Sequence, residues 1–251
     1  MRLATYNIWH SDVGMPARTE DLIEVLKALQ ADILCLQEVR DNEYHNLLVG
    51  QLGYPYHTFC AHEGEVEGLS LLSHFPIETL KCLPYAIAVK LVVNSVSLLV
   101  ANIHLPWDSV LKREKASIPL HDALSAIPAD LRLIAGDFNS AEKSSVQQFF
   151  LGEASLLGKE ACPCWFDLAE GFACRRSTTA DATLNFCKNP RWKNEQTVET
   201  NQRFDRILLQ NPYPNPFPRL ESVDIFGTEV SPKTGLAPSD HYGVYADFYI
   251  K

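Results

Sequence analysis

The sequence predicts an α/β fold, because short apolar or β-branched segments alternate along its 251 residues with segments of helical periodicity. Ile33–Leu36 is wholly apolar, as a strand buried on both faces would be. Helical spacing places Leu22, Leu26 and Leu29 on one face. Neither a change in composition nor a low-complexity segment suggests a linker, so we expect a single domain over residues 1–251.

The first predicted elements are a strand, a helix and a second strand. Arg2–Trp9 alternates between polar and apolar residues and predicts the strand that opens the chain. A helix is predicted over Thr19–Gln30, where Glu20 and Asp21 near its start interact favourably with the helix dipole. The apolar strand follows and delivers Glu38 at its carboxyl end.

The middle of the chain predicts antiparallel strands. Three segments are short and rich in β-forming residues, namely Leu69–Ser73, Ala86–Val93 and Val96–His104. Asn94 and Ser95, which separate the last two segments, are typical of a hairpin turn. We therefore expect these two segments to pair.

The next predicted elements repeat the arrangement of a strand followed by an acidic residue. A helix is predicted over Leu111–Ala126 and a buried strand over Leu131–Ala135. Gly136 allows a sharp turn after this strand. Asp137 and Asn139 can therefore both face one site.

Residues 152–201 have poor periodicity, with Gly, Pro, Cys, Trp and Asn interspersed. We expect long loops there, at the rim of the site, where they would select the substrate. Closing strands are predicted over Arg203–Leu209 and Tyr242–Ile250. Asn211–Pro218 contains four prolines and predicts a turn or an edge loop.

The composition limits where the protein works. No apolar run approaches the roughly 18 residues of a membrane span, and no signal peptide is recognisable. Seven cysteines in otherwise ordinary sequence favour free thiols over a disulfide framework. We expect a cytoplasmic monomer in a reducing compartment. Four cysteines lack the paired Cys-x-x-Cys spacing of structural zinc sites: Cys162, Cys164, Cys174 and Cys187.

The charge limits the class of partner. A formal net charge of −9 weakens the attraction to nucleic-acid phosphates, so tight non-specific DNA binding is not expected. A local basic patch and scattered surface charge remain alternatives for six residues: Arg175, Arg176, Arg191, Lys193, Arg203 and Arg206.

Side chains of the types used in catalysis follow most of the predicted strands. They occur in six short motifs: Thr-Tyr-Asn7-Ile, Leu-Gln-Glu38-Val, Asn-Ile-His104-Leu, Gly-Asp137-Phe-Asn139-Ser, Arg-Phe-Asp205-Arg-Ile and Ser-Asp240-His241. Because strand ends can hold side chains rigidly around one point, we interpret these residues as parts of a catalytic centre.

The order and wording of the six motifs resemble the endonuclease/exonuclease/phosphatase superfamily, the metal-dependent phosphoesterases that share the pancreatic deoxyribonuclease fold. The resemblance covers nearly the whole chain, from Thr5 to Gly243. It implies a four-layered α/β/β/α sandwich of two mixed β-sheets with outer helices. It also implies hydrolysis of a phosphodiester with Mg²⁺ or Mn²⁺ as cofactor.

The resemblance assigns three residues to the metal. It implies that Glu38 is the dominant ligand, and a hard carboxylate oxygen suits Mg²⁺. Asn7 matches the first motif of the family, whose amide helps to order the glutamate and the metal or phosphate. Asp240 matches the last acid, which is linked in some members to the metal and in others to the attacking water.

The resemblance also implies the catalytic roles. Asp137 would be the general base, with Asn139 holding the attacking water or a phosphate oxygen. A free Asp has a pKa of about 3.9, so this role requires hydrogen bonding and a water whose pKa is lowered by the metal. His241 would donate to the phosphate, with Asp205 accepting from its other ring nitrogen and favouring the charged imidazole.

Histidines in this chain receive two interpretations. His104 corresponds to a second phosphate-contacting histidine in several branches of the family, and a structural histidine at a strand end is the alternative. The other histidines are interpreted as structural, among them His10, His45 and His121.

The carboxyl-terminal third most resembles the 5′-tyrosyl-DNA phosphodiesterase branch, in the segments Arg203-Phe-Asp205-Arg206-Ile, Val223-Asp-Ile-Phe-Gly and Pro238-Ser-Asp-His-Tyr-Gly. This resemblance implies a substrate contact for Arg203. Asn185 corresponds to a substrate-contacting asparagine of that branch or forms a local turn. Trp9 stands where the branch has an acid, and Ala141 where it has an arginine.

Three functions remain open on the sequence. The first is a Mg²⁺-dependent nuclease or DNA-end phosphodiesterase of DNA repair, with DNA ends among its candidate partners. The second applies the same chemistry to a small phosphate ester, a phosphoinositide or a phospholipid head group, which the acidic composition favours. The third is a non-catalytic binding module, against which the intact motif residues argue. One fold hosts all three, because function is decided by the site.

Overall fold

Twelve strands and five helices make up the computed structural model within the residues it describes, 1–193 and 198–250. The strands are β1 (Arg2–Asn7), β2 (Ile33–Val39), β3 (Tyr56–Ala61), β4 (Gly68–Ser73), β5 (Ile77–Leu83), β6 (Ala86–Val93), β7 (Val96–His104), β8 (Leu131–Asp137), β9 (Trp165–Asp167), β10 (Asp205–Gln210), β11 (Arg219–Phe226) and β12 (Gly243–Tyr249). The helices are α1 (Ala17–Leu29), α2 (Asn42–Leu52), α3 (Val110–Ser125), α4 (Ser145–Phe150) and α5 (Leu168–Arg175).

The strands form two sheets of six. The first has the order β11-β12-β1-β2-β4-β3, and the second has the order β5-β6-β7-β8-β10-β9. Each sheet is mixed, because β1 and β2 pair in parallel in the first and β7 and β8 in the second, whereas the other neighbours are antiparallel. The two parallel pairs lie near the middle of their sheets, so their carboxyl ends are held from both sides.

Three apolar clusters define four layers. The central cluster packs residues of the first sheet such as Ile33 against residues of the second such as Val100. A second cluster joins the outer face of the second sheet to α3 and α4, through residues such as Leu120 and Phe149. A third joins the outer face of the first sheet to α1 and α2, through residues such as Leu22. The predicted α/β/β/α sandwich is confirmed.

The layer between the sheets changes from apolar to polar along the strands. On β8, Leu131, Leu133 and Ala135 belong to the central cluster, and Asp137 is the next residue on the same face. Because side chains alternate across a strand, the same face of each sheet supplies apolar groups in the interior and polar groups at one end. This polar end is where the motif residues lie.

A β-bulge shapes β2 at Glu38. Residues Leu36 and Val39 pair with Ser70 and Gly68 of β4, so two residues of β2 lie opposite one residue of its partner. Glu38 has a φ of 58°, in the left-handed region. A bulge of this kind redirects one side chain and leaves its neighbours in register. Glu38 therefore turns toward the polar end while Val39 stays buried.

Close strand contact explains Gly136. It pairs with Ile103 across the parallel strands β7 and β8, and a Cβ at this position would lie 2.0 Å from the Ile103 carbonyl oxygen. A side chain would therefore separate the strands. The next pair in the register is His104 with Asp137, so this contact also fixes the spacing of two predicted site residues.

Most predicted elements are confirmed. The hairpin is observed with the predicted bounds of both strands, and Asn94 and Ser95 have φ values of 50° and 69°. The strand predicted over Arg2–Trp9 ends at Asn7, because Trp9 has left-handed backbone with a φ of 59°. Asn211–Pro218 contains no strand or helix, as its prolines predict.

The prediction of loops throughout residues 152–201 is wrong for one segment. Strand β9 and helix α5 lie there, and Asp167 joins them by accepting hydrogen bonds from the backbone N–H groups of Ala169 and Glu170. A three-residue strand and an eight-residue helix are too short to give a readable periodicity. The part of this prediction that falls on residues 194–197 lies outside the described residues.

Candidate active site

Six strand-end side chains converge at the polar end of the central layer. They come from β1, the bulge of β2, the carboxyl ends of β7 and β8, the start of β10 and the residue pair before β12. Hydrogen bonds and short contacts between charged groups link six residues into one group: Asn7, Glu38, His104, Asp137, Asp205 and His241.

Two donors hold the Glu38 carboxylate. The Asn7 amide nitrogen donates to Oε1 at 2.9 Å, and the backbone N–H of His10 donates to Oε2 at 2.7 Å. Burial favours a higher pKa for Glu38, but nearby His104 and these hydrogen bonds outweigh it and lower the pKa. Glu38 therefore presents an ionised and oriented carboxylate, a group of the type that can bind a hard cation.

Asp137 is buried between two donors as well. It accepts from the Asn7 amide nitrogen at 3.1 Å and from the backbone N–H of Asn139 at 2.7 Å. Burial and the nearby Asp205 carboxylate raise the pKa of Asp137, although His241 and other positive groups oppose the rise. A carboxylate with a raised pKa accepts a proton more readily than a solvent-exposed aspartate does.

His241 and Asp205 form a buried ion pair. The Nδ1 atom of His241 donates to Asp205 at 2.8 Å and lies 4.0 Å from Asp137 Oδ2. Burial favours the neutral ring, but the charge of Asp205 and its hydrogen bond raise the pKa of His241 well above 6.5. The ring is held charged, with Nε2 as its second donor.

His104 faces both carboxylates of the group. Its Nε2 atom lies 3.9 Å from Glu38 Oε1 and 3.7 Å from Asp137 Oδ2. These separations exceed hydrogen-bonding distance, and they leave room for a ligand atom between the three side chains.

Asp240 lies beside the group on the segment before β12. Burial raises the pKa of Asp240 to about 6. The hydroxyl of Ser239 donates to the Asn7 carbonyl at 2.6 Å and lies 3.4 Å from Asp240 Oδ1. The Trp192 indole donates to the Asp240 carbonyl at 2.7 Å. This segment is therefore tied to β1 and to the loop that contains Trp192.

Asn139 is held by backbone contacts. Its backbone is left-handed, with a φ of 46°, and its amide nitrogen donates to the Leu105 carbonyl at 2.9 Å. Its backbone N–H orients the Asp137 carboxylate. Asn139 therefore lies next to the group, and within residues 1–193 and 198–250 its amide oxygen makes no hydrogen bond.

Two predicted substrate contacts are not brought into this group. Arg203 is buried, and its two terminal nitrogens donate to Asp167 at 2.7 Å and to Glu170 at 2.6 Å. Asn185 accepts from the backbone N–H groups of Cys187 and Lys188, which is the local turn weighed as its alternative. These contacts give both residues structural partners.

The site contains supporting residues that sequence reasoning missed. Thr183 contacts the backbone N–H of Asp205 through its hydroxyl, at 3.2 Å, and Ser239 accepts from the backbone N–H of His241 at the same distance. Thr183 has no sequence signal, since a threonine in a loop is common. Only Ser239 lies inside a motif, where its hydroxyl could have been noted.

Other histidines divide into two groups. His45 is buried against Ser70, and His121 accepts a hydrogen bond from the Trp165 indole, so the structural interpretation is confirmed for both. His10 instead lies in the wall of a cavity of about 790 Å³ that Glu38 and His104 also line. His62 and Glu67, to which no role was assigned, line the same cavity.

The sequence matches the model of the Endonuclease/Exonuclease/phosphatase family over residues 4–241. The chain belongs to this family. Its members are in general phosphoesterase hydrolases that depend on a divalent metal, and the family predicted from the six motifs is confirmed. No curated protein matches the sequence.

Solved structures share the fold over the whole chain. TDP2 from Caenorhabditis elegans is 19% identical, with a TM-score of 0.74, over 99% of this chain and 97% of that chain. TDP2 from D. rerio, solved with a single strand DNA product, is 17% identical with a TM-score of 0.75, over 100% and 99%. An endonuclease/exonuclease/phosphatase from Bacteroides vulgatus is 17% identical with a TM-score of 0.74, over 100% and 98%.

The donor atoms of the site fit the divalent metal of the family. Glu38, Asp137 and Asp240 supply carboxylate oxygens, the ligand type that hard cations prefer. Asp205 Oδ1 is buried and has no hydrogen-bond partner among the described residues, so the site holds more negative charge than its donors satisfy. The Asn7 amide nitrogen donates to Glu38, and its amide oxygen accepts from the Trp9 backbone N–H.

Two further findings bear on the expected setting. None of the helices among residues 1–193 and 198–250 has the length and apolar character that crossing a membrane requires. All seven cysteines are free thiols.

Proposed function

We propose that the protein hydrolyses a phosphodiester with the help of Mg²⁺ or Mn²⁺. One observation carries this proposal: Asp137, Asp205 and His241, which are far apart in the sequence, place ligand atoms within 4.8 Å of one another. Glu38 and Asn7 are joined to the same group by hydrogen bonds. Phosphoryl transfer requires mainly positioning and charge stabilisation, and this set supplies both.

Glu38 would hold the cation, with Asp240 beside it and Asn7 orienting the Glu38 carboxylate. When bound, the cation polarises the phosphate and neutralises charge as it develops. The hydrogen bonds from Asn7 and His10 keep both carboxylate oxygens in place before the reaction begins, so no free energy is spent on reorienting them during it.

Asp137 would take the proton of the attacking water at Oδ2. Its raised pKa lies closer to the pKa of the water from which it would take the proton. The backbone N–H of Asn139 fixes the other carboxylate oxygen of Asp137. Asn139 would contact the water or a phosphate oxygen through its amide.

His241 would donate from Nε2 to a phosphate oxygen. Asp205 holds the ring in the orientation and the charged state that this role needs. His104 would contact the phosphate from the opposite side, between Glu38 and Asp137. Donors on both sides of the phosphate would stabilise the transition state more strongly than the ground state.

We propose a nuclease or a DNA-end phosphodiesterase of the 5′-tyrosyl type, active in DNA repair, as the first candidate. The wording of the carboxyl-terminal motifs supports it, and so does the likeness to D. rerio TDP2 with its single strand DNA product. The interpretation of Arg203 and Asn185 as substrate contacts draws no support from their positions. Cytoplasmic location, a monomeric state and a single domain remain predictions.

A small phosphate ester, a phosphoinositide or a phospholipid head group is the second candidate. The net charge of −9 favours it, and two of the six residues considered for a basic patch lie in the interior. Arg203 and Arg206 are both buried against Asp167. The non-catalytic module is the third candidate, and the ionised and oriented Glu38 gives it no support.

Hydrolysis of bis-nitrophenyl phosphate tests the chemistry. We expect turnover with Mg²⁺ or Mn²⁺, no turnover with EDTA, and a fall of at least about 100-fold in Asp137→Asn and His241→Ala, since each removes a group that moves or donates a proton. Asp122→Asn and His74→Ala are matched controls, because both residues are exposed. Equal turnover by the Asp137 and His241 variants would end the assignment.

A substrate panel separates the candidates. It contains a 5′-tyrosyl oligonucleotide, an abasic duplex, a single strand, a phosphoinositide and inositol phosphates, each with an EDTA control. Release of tyrosine or nucleotide supports the first candidate, and release of phosphate from the small esters supports the second. Binding without turnover on every substrate would leave the non-catalytic module.

A further inference from the structure

A second group of metal-ligating side chains lies in the cavity that contains Glu38. His62, Glu67 and His104 each place a ligand atom within 4.8 Å of the others. All three line the cavity of about 790 Å³, and all three are partly exposed to it. The six motifs include only His104 of this group, so the family resemblance does not account for the other two.

Local structure fixes two of the three side chains. His62 and Glu67 stand at the two ends of the turn between β3 and β4. The backbone N–H of His62 donates to the Glu67 carbonyl at 2.8 Å, and the backbone N–H of Glu65 donates to the His62 carbonyl at 3.0 Å. Gly64, with a φ of 80°, permits this tight turn. The imidazole and the carboxylate are therefore held side by side.

The third side chain approaches from the other sheet. His104 ends β7, and its ring centroid lies 5.8 Å from that of His62. Two sheets thus contribute to one group, as they do at Glu38. Because strand ends and tight turns position the ligands, little chain entropy is lost when an ion binds.

A partner outside the group orients the carboxylate. The Nδ1 atom of His10 donates to Glu67 Oε2 at 2.5 Å, and the backbone N–H of the same residue donates to Glu38. Carboxylate ligands of metals are commonly held by such a second hydrogen bond. His10 therefore links Glu67 of this group to Glu38 of the candidate active site.

We propose that His62, Glu67 and His104 form a second metal site, which binds a borderline transition metal of the Zn²⁺ type. Two imidazole nitrogens and one carboxylate oxygen are the set found in zinc sites that keep an open coordination position. Imidazole favours such ions over Mg²⁺. Donor atoms around zinc lie about 3.3 Å apart, so the observed spread requires only side-chain movements of about 1 Å.

This site goes beyond the proposed hydrolysis, which uses a hard cation at Glu38. His104 Nε2 lies 3.9 Å from Glu38 Oε1, so both sites open into the same cavity. An ion held there would add a positive charge beside the substrate and would occupy the ring of His104. The alternative is a hydrogen-bonded cluster that binds no ion, which is an outcome of the test.

Zinc binding by the full chain tests the proposal. The metal-stripped protein is dialysed against Zn²⁺ in an excess of Mg²⁺, and bound zinc is counted for the unmodified chain, His62→Gln and Glu67→Gln. We expect each variant to lose about one zinc per chain, with an affinity at least about tenfold lower. Co²⁺ gives a second measurement, because imidazole ligands change its visible absorption.

Controls separate this site from other zinc ligands. His74→Gln removes an exposed histidine outside the cavity, and it should bind zinc like the unmodified chain. All four proteins have the same cysteines, so thiol binding cancels in the comparison. Unfolding curves check that the two turn variants fold. Equal zinc affinity in the folded variants and the unmodified chain would overturn the proposal, whether or not the protein hydrolyses nitrophenyl phosphate.

Discussion

The charge of His241 depends on its contact with Asp205. Burial alone would lower the pKa of the ring, and Asp205 raises it well above 6.5 by charge and by hydrogen bonding. We therefore expect Asp205→Asn to lower the pKa of His241, so that the ring loses its proton near neutral pH. Activity at pH 7 should fall about 100-fold, and it should partly return at lower pH as the ring regains its proton.

Nuclear magnetic resonance titration of the histidine ring protons measures this change directly. The unmodified chain should keep His241 charged across neutral pH, and Asp205→Asn should not. Asp122→Asn changes an exposed carboxylate in the same way and should leave the titration as it is. A His241 ring that stays charged at neutral pH in Asp205→Asn would contradict the role given to Asp205.

The buried carboxylate of Asp240 predicts a dependence of stability on pH. Burial raises its pKa from 3.8 to about 6. Between these values the folded protein binds more protons than the unfolded chain, so the free energy of unfolding falls as the pH rises through this window. This fall amounts to at most about 3 kcal/mol, and we expect it to be absent in Asp240→Asn, which has no carboxyl group to titrate.

Urea unfolding in EDTA, between about pH 4 and about pH 6, measures the difference between the two proteins. Asp122→Asn should follow the unmodified chain, because its carboxylate is exposed. If the free energy of unfolding changed with pH equally in Asp240→Asn and in the unmodified chain, Asp240 would have an ordinary pKa.

The sequence motifs were enough to select residues that the structure brings together at the candidate site, but they did not reveal the residues that support them. Glu38 and Asp137 follow readable strands, so the motif text was enough to select them. Thr183 lies in a segment without periodicity, and its contact with Asp205 joins residues 22 positions apart. Only the folded chain brings such pairs together.

At the scale of elements, the contact between β7 and β8 sets the spacing of the site. Gly136→Ala would place a Cβ 2.0 Å from the Ile103 carbonyl oxygen. We expect this substitution to lower the free energy of unfolding by about 1–3 kcal/mol. Hydrolysis should fall as well, because His104 and Asp137 are the next pair in the register.

Chemical unfolding and nitrophenyl phosphate turnover measure these two effects. Gly171→Ala is the matched control, since a Cβ at Gly171 meets nothing within 4 Å. That residue lies inside α5, where alanine should stabilise the helix by about 1 kcal/mol. Unchanged stability in Gly136→Ala would mean that the two strands can separate without cost.

Elements were predictable where local signals agreed. The hairpin of β6 and β7 combines two β-rich segments with turn residues that tolerate left-handed backbone. Helix α5 has eight residues with a glycine among them, and its position depends on the buried pair of Asp167 with Arg203. That ion pair is a tertiary contact, so the sequence pattern of the helix could not reveal it.

At the scale of the whole molecule, two sheets share one polar end. Gln37 of β2 donates to Asn102 of β7 at 2.6 Å, and Asn102 donates to the carbonyl groups of Leu36 and Ser70. These buried bonds join the sheets directly beneath the site. The family resemblance predicted the four layers, but the pairing of β4 with both β2 and β3 required the structure.

The concentration of carboxylates at this shared end predicts that Mg²⁺ stabilises the fold. Glu38, Asp137 and Asp205 come together only in the folded chain, so a cation that binds them shifts the equilibrium toward that state. At 100 times the dissociation constant the gain is about 2.7 kcal/mol. For a chain of this size we expect Tm to rise by about 5–10 °C.

Thermal unfolding with increasing Mg²⁺ measures this shift, and EDTA should reverse it. Glu38→Gln keeps the shape of the side chain and an oxygen that can accept from the His10 backbone N–H, but it removes the charge of the proposed main ligand. We expect most of the stabilisation to disappear in this variant, because a neutral amide binds Mg²⁺ far more weakly than a carboxylate does. Asp122→Asn should keep the full shift. If Glu38→Gln were stabilised as much as the unmodified chain, the cation would bind elsewhere, and the two sheets would not meet around it.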